Sequence, residues 1–387
     1  MANPYSPGAG LRPAVMAGRE SELGAFDTLI ARTELGRAVR GPVLTGLRGV
    51  GKTVLLNELA RRAEARDWVV VQLEVRKDGS TAALAALTQA LAAELRRRQP
   101  KITTAARKAL ASIKGVTLTL DPTGGLSASL NLDIEAVTSG DLERDLVALA
   151  LDVGRLAMEL GVGVLVCIDE LQEMDKTSLE ALAAAAHAAG QREVPFVVSA
   201  AGLPNLPARL ADAKSYAERL FDYRPLGRLN NDTAAEALTV PAATAGVAWE
   251  PDALSSALAA ADGYPYFLQE FGSATWDLAI GPGVITPADA RNGIRLGQQV
   301  LDSGFFRSRW DRATPTERDY LIAMAEDGDG PSQTADIATR MGRTQSNVGP
   351  IRAGLIGKGL IYPPEYGKIA FTVPGMAGFV ERHARET

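Results

Sequence analysis

Residues 46–53, GLRGVGKT, set Gly46, Gly49 and Gly51 around a short loop that ends in Lys52 and Thr53. The spacing G-x-x-x-x-G-K-[ST] can wrap phosphate groups. Glycines let the backbone curl until successive N–H groups point inward, and a helix starting there adds positive potential. A short apolar strand precedes the motif and a helix from Lys52 to Ala65 follows it, which is the context it needs. Leu47, Arg48, Val50 and Val54 share the loop and are candidate contacts to the same ligand. In that role Lys52 would bridge the β- and γ-phosphates of a nucleotide, and Thr53 would ligate Mg2+.

A second constellation stands in VGVLVCIDELQEMD, residues 162–175. Val164, Leu165, Val166 and Ile168 suit a central strand, and two adjacent carboxylates at its C-terminal tip are costly unless used. Asp169 would hold the hydration shell of the Mg2+, and Glu170 would orient and deprotonate an attacking water. The competing interpretation is a capping Asp beside a solvated Glu; the intact phosphate loop upstream argues against it.

The glycine loop, CIDE at 167–170, the GRE box at 18–20 and a later helical region together resemble AAA+ ATPases of the origin-recognition and archaeal-ATPase type, bordering on the STAND ATPases. The resemblance spans about residues 16–382. It implies ATP and Mg2+ as ligands, with Gly18, Arg19, Glu20 and Leu23 against the adenine. GYPYF at 263–267 is similar to the Gly-x-Pro motif of the STAND lid, so Gly263 and Pro265 would cover the base. By the same likeness, a polar sensor at the end of a strand would be Ser199 or Asn205. The lid helix carries no arginine to touch a γ-phosphate, and IAFTVPGM at 369–376 lacks the histidine of STAND switches. Arg219, in YAERLF, is either an arginine finger for a neighbouring subunit or a surface residue paired with Glu218 or Asp222.

The elements that must position these groups follow from hydrophobic patterning. Apolar strands at 43–46, 68–75, 162–169 and 195–201 alternate with helices at 52–65, 81–97, 141–160 and 177–189, which predicts an α/β domain with a parallel sheet covered on both faces. A strictly alternating stretch near 115–135 predicts an inserted β-hairpin, packed on its own domain or offered as an arm. The expected order is a loose N-terminal arm (1–16), a P-loop α/β domain (17–229), a helical lid (230–306) and a winged helix (307–387).

In that last unit Gln345, Ser346 and Asn347 would lead a recognition helix, and Arg340, Arg343, Arg352, Lys358 and Lys368 could meet phosphates. Its charge is close to balanced, 11 Lys/Arg against 10 Asp/Glu, so a monomer would hold duplex DNA weakly. The alternative is a surface for protein or for the chain's own domains. The whole chain has a net charge of −5 and is no polycation. One cysteine, Cys167, excludes an intramolecular disulfide, and with two histidines leaves no zinc cluster. No apolar run is long enough for a membrane span, and the expected compartment is the cytoplasm. The sequence thus predicts a slow Mg2+-dependent ATPase of AAA+ type whose ATP state controls oligomerisation and DNA association through the winged helix, with a possible homo-oligomer and possible duplex DNA as partners. The alternative is a nucleotide-gated, STAND-like signalling switch whose winged helix binds protein and not DNA.

Overall fold

The computed structural model describes residues 2–76, 142–279 and 283–384, the helical positions 86–87, 90–91 and 94, and the strand residues 117–120 and 126–129. Among the described residues, seven strands fall before the helical region: β1 (Pro42–Thr45), β2 (Val69–Glu74), β3 (Thr117–Leu120), β4 (Leu126–Ser129), β5 (Val164–Asp169), β6 (Phe196–Gly202) and β7 (Asp222–Pro225). Five of them make a parallel sheet in the order β2-β5-β6-β1-β7. The short β7, with Asp and Arg among its four residues, has no apolar pattern to announce it. Its strand form comes from pairing along the edge of β1.

Alternation along each strand supplies two buried layers. Leu44, Leu165 and Cys167 face the helices Glu20–Glu34 and Lys52–Glu64, where Phe26, Ile30, Leu55 and Leu59 meet them. Val43, Val164, Val166 and Ile168 face the helices Leu142–Leu160 and Lys176–Gln191. A sheet buried on both faces reads as a continuous apolar run because each layer takes every second residue. The predicted helix 81–97 falls mostly outside the described residues. The hairpin is present as antiparallel β3 and β4, with Leu120 opposite Leu126; the packing of its faces lies outside the described residues.

The second half is helical. Helices Asn231–Thr244, Pro251–Ala261, Pro265–Leu278 and Pro287–Val300 occupy the stretch expected to form a lid, with the two-residue strands β8 (Ala248–Trp249) and β9 (Val284–Ile285) pairing between them. Asn230 caps the first helix by accepting from the Thr233 N–H, and Thr286 forms a capping box with Asp289. The Pro287–Val300 helix continues without a break through a π-helical turn, Leu301–Phe306, into Arg307–Trp310. The expected division at 306/307 therefore falls inside a helical rod.

Beyond it come helix Pro315–Ala325, β10 (Ser332–Gln333), helices Thr334–Arg340 and Gln345–Gly357, β11 (Ile361–Tyr362) and β12 (Lys368–Phe371). These strands form an antiparallel sheet in the order β10-β12-β11. A final helix, Met376–Ala384, absent from the sequence reading, stacks Phe379 on Phe306 and returns the chain end to the rod. No helix among the described residues is long and apolar enough to cross a membrane.

The N-terminal arm is docked, where composition suggested a loose segment. Tyr5 is buried; its hydroxyl donates to the Leu238 carbonyl at 2.5 Å and accepts from the Trp249 indole at 3.0 Å. Asn3 bonds Ser273 and Asp277, and the Ser6 N–H reaches Gln269. Further along, Arg12 lies 3.5 Å from Glu58 on the Lys52–Glu64 helix. The arm thus laces the lid to the helix that follows the glycine loop. Tyr5→Ala removes a buried ring and leaves two polar groups unpaired, so a loss of about 3 kcal/mol in denaturant unfolding is expected. Limited proteolysis should then cut the arm; protection equal to that of the parent would contradict this anchoring role.

Candidate nucleotide site

The topology brings the two motifs together. With β6 between β1 and β5, the loop after β1 and the carboxylates ending β5 emerge at the same end of the sheet. Ligands of open parallel sheets sit beyond the carboxyl ends of their strands. Gly49 and Gly51 have φ of 88° and 90°, the left-handed backbone that lets this loop curl. The Lys52 ammonium, 7% exposed, donates to the carbonyls of Gly46 at 2.9 Å and Leu47 at 2.8 Å. Burial pushes its pKa down to about 8, against the opposing pull of the nearby Glu170 and Asp169 carboxylates. The Thr53 hydroxyl donates to Asp169 Oδ2 at 2.6 Å.

Glu170 is also at positive φ, 51°. Its Oε1 lies 3.0 Å from Arg48 Nη1, its Oε2 3.3 Å from Arg48 Nη2, and the Gln172 amide donates to the same Oε2. A cavity of about 330 Å3 opens over these groups. Arg48, Gly49, Val50, Gly51, Lys52, Thr53 and Val54 line one side, with Glu170, Arg19 and Pro265. Arg19 donates to the Val50 carbonyl at 3.0 Å, so it braces the loop as well as lining the cavity. The Tyr266 N–H meets the Gly49 carbonyl at 3.2 Å, which places the start of the lid helix directly on the loop.

Several expectations are corrected. Leu47 lies outside the cavity and packs against Leu203, Tyr362 and Ala370. Ser199 sits fully buried in the middle of β6 and bonds the Pro42 carbonyl, too far back along the strand to sense a ligand. Asn205 precedes a helix without capping it and does not line the cavity. Arg219 is exposed, outside its own chain's cavity, and pairs with neither Glu218 nor Asp222, since Asp222 holds Arg224.

Sequence reasoning missed the opposite walls. Gly8, Ala9, Gly10, Leu11, Pro13 and Val15 of the arm, with Tyr266, Gln269 and Phe305, complete the cavity. Arg309 lines it too, with its guanidinium 4.1 Å above the Phe305 ring. Burial and the adjacent Arg48 lower the Arg309 pKa to about 10. No carboxylate among the described residues lies within ion-pair distance of it. Phe305 lies in the π-helical turn Leu301–Phe306, and Arg309 lies in the helical turn that directly follows it.

Residues 15–198 match a family model described as "AAA ATPase domain". This segment is an AAA ATPase domain. Residues 303–380 match a model described as "Domain of unknown function (DUF8462)". A comparison with curated proteins found no match. Among solved structures, the chain is similar to the Walker-type ATPase PabY2304 of Pyrococcus abyssi, at 16% identity and TM-score 0.56, over 96% of this chain and 97% of that one. That likeness extends the shared fold past the AAA segment through the lid and the C-terminal sheet. Two further matches are the Aeropyrum pernix Orc1 protein in complex with DNA (17% identity, 97% and 96% covered, TM-score 0.48) and the Thermotoga maritima RuvB Holliday junction branch migration motor (16%, 94% and 96%, TM-score 0.47).

An AAA ATPase domain binds and hydrolyses ATP, and the Lys52 environment gives that binding a pH signature. In the nucleotide-free protein the amine is charged below pH 8 and neutral above it, so at higher pH it must take up a proton to meet phosphate. ATP affinity is expected to fall as pH rises above about 8, approaching tenfold per pH unit. Calorimetry in buffers of different ionisation enthalpy should register the proton uptake. Affinity that stays constant across that range would show the ammonium to be charged throughout.

Proposed function

We propose that this chain is a Mg2+-dependent, slowly hydrolysing ATP switch, in which nucleotide state sets the position of a C-terminal winged helix (307–387) relative to a P-loop unit (17–229) and a lid (230–306). Lys52 carries the reading. It is a buried ammonium at a glycine loop whose only hydrogen-bond partners among the described residues are two carbonyls of that loop, an arrangement that a triphosphate would complete.

Thr53 and Asp169 fit a Mg2+ ion. They touch each other, and among the described residues no group of three or more His, Cys, Asp or Glu could form a full metal cage. Mg2+ keeps several waters and takes its other ligands from phosphate, so two oxygen donors suffice. When bound it would neutralise charge on the phosphates. Lys52 binds and orients the β- and γ-phosphates, Arg309 adds a second buried positive charge, and Glu170 accepts the proton of the attacking water. Lys52→Ala is expected to weaken ATP binding by two orders of magnitude or about that. Glu170→Gln should bind ATP normally and hydrolyse it about a hundredfold more slowly. Parent-level turnover in the second variant, read by phosphate release, would remove Glu170 from its role.

The switch is favoured over a DNA-first reading by the state of the C-terminal cations. Lys358 is bonded to Glu317, Arg340 to Asp327 and Lys368 to Glu365. The Arg48 N–H donates to the Thr372 carbonyl at 2.9 Å, so this unit rests on the P-loop itself.

DNA association is the second reading, supported by the exposed Gln345–Asn347 tip and by Arg343, which has no carboxylate partner among the described residues. The exposed Arg219, in turn, suits a finger donated to a neighbour in an ATP-dependent homo-oligomer. In a mobility-shift titration on random duplex DNA, the full chain with ATP should bind better than without it. Arg343→Glu with Arg352→Glu should weaken that binding for every sequence. No shift at low salt with ATP would leave the switch alone.

A further inference from the structure

Both groups that hold Glu170 are themselves tethered to the C-terminal sheet. Arg48 grips both carboxylate oxygens with its side chain, while its backbone N–H donates to Thr372, directly after β12. Gln172 is 4% exposed and has both ends of its amide engaged. The nitrogen donates to Glu170, and the oxygen accepts the Leu203 N–H at 3.0 Å. A Cβ on Gly202 would come within 2.6 Å of that oxygen, so the bare glycine is what admits the bond. Leu203 in turn packs against Tyr362 and Ala370 of β11 and β12, with Leu47 of the glycine loop beside them. Arg209 further pins the Gln172 backbone by donating to its carbonyl.

We propose that Gln172 is a positioning residue for Glu170, and that the contact of Leu203 with the C-terminal sheet sets the position of Gln172. The inference rests on the role of Glu170 in ATP hydrolysis given above. Gln172 does not line the cavity. Its amide fixes one carboxylate oxygen of a residue whose left-handed backbone already limits its reach. When a γ-phosphate draws the Arg48 guanidinium away, Gln172 is the remaining hold on Glu170, and it keeps the carboxylate facing the cavity. Docking of the C-terminal sheet then acts on the hydrolytic step while leaving ATP binding untouched.

Steady-state hydrolysis and calorimetric ATP affinity on the full chain test this, with unfolding midpoints measured alongside. Gln172→Ala should lower kcat about tenfold or more, with KM and ATP affinity within about twofold of the parent. Gln172→Glu keeps the volume and the Leu203 bond but turns the donor into a like charge. It should fall at least as far, an outcome that a packing role would not produce. Tyr362→Ala loosens the sheet contact; Tyr362 packs with Leu203 and Leu47, none of which lines the cavity. It should lower kcat several-fold at constant KM, and combined with Gln172→Ala it should add nothing.

Unchanged kcat in Gln172→Ala, additive losses in the double variant, or KM moving with kcat would each overturn the proposal. Should Gln172→Ala fail to fold, unchanged kcat in Tyr362→Ala overturns it alone. A parent chain that hydrolyses ATP, with a Glu170→Gln variant that does not, keeps the function assignment standing whatever Gln172 does. Parent-level turnover in Glu170→Gln removes both.

Discussion

The hydrogen bond from Thr53 to Asp169 closes a gap of 116 residues, and the chemistry of the site depends on it. It exists because β6 spaces β1 from β5 at a fixed register, Val43 opposite Ala200 and Ile168 opposite that same Ala200. Strands about 4.8 Å apart leave the loop after one and the tip of the other close enough for two short side chains to meet. A slip of one residue in β5 would turn Asp169 to the other face and exchange the buried layers as well. Core packing and site geometry are therefore the same constraint: Val164, Val166 and Ile168 cannot fill their layer unless the carboxylates end where they do.

Around that bond the protein concentrates positive charge that it does not fully neutralise. Lys52, Arg19, Arg48 and Arg309 share one cavity, and among its lining residues the only carboxylate is Glu170. Burial lowers the pKa of Lys52, Arg19 and Arg309 alike, so the protein's fold disfavours the charges that a polyanion would stabilise. Backbone carbonyls at Lys52, an aromatic face at Arg309 and an ion pair at Arg48 soften the cost. Each is a partner that a phosphate can displace. Arg309 belongs to the rod that leads into the C-terminal unit, and Arg48 touches Thr372, so both contacts reach beyond the site.

Much of this was legible in the sequence, where the signal was local. The glycine loop, the paired carboxylates and the alternation of strand and helix are properties of short stretches, and β1, β2, β5 and β6 fall within two residues of expectation. Legibility failed where a residue's role comes from its neighbours in space. Ser199 carries the right atom at a plausible strand end, yet β6 runs on to Gly202 and buries it. Arg309 lies in FFRSRW, an apolar and basic stretch with no motif, yet it lines the cavity beside the Phe305 ring, in the helical turn that follows the π-turn. Gln172 reads as one more polar residue after a carboxylate pair. Its importance lies in an N–H donor 31 residues away.

The docked arm has a consequence for how the protein comes into being. Tyr5 finds its partners 233 and 244 residues later, at Leu238 and Trp249. A chain emerging in order from the ribosome must complete most of the lid before its first segment has anywhere to go, and closing so wide a loop carries its own entropic toll. Until Leu238 and Trp249 exist, the segment that lines one wall of the cavity has no anchor at Tyr5.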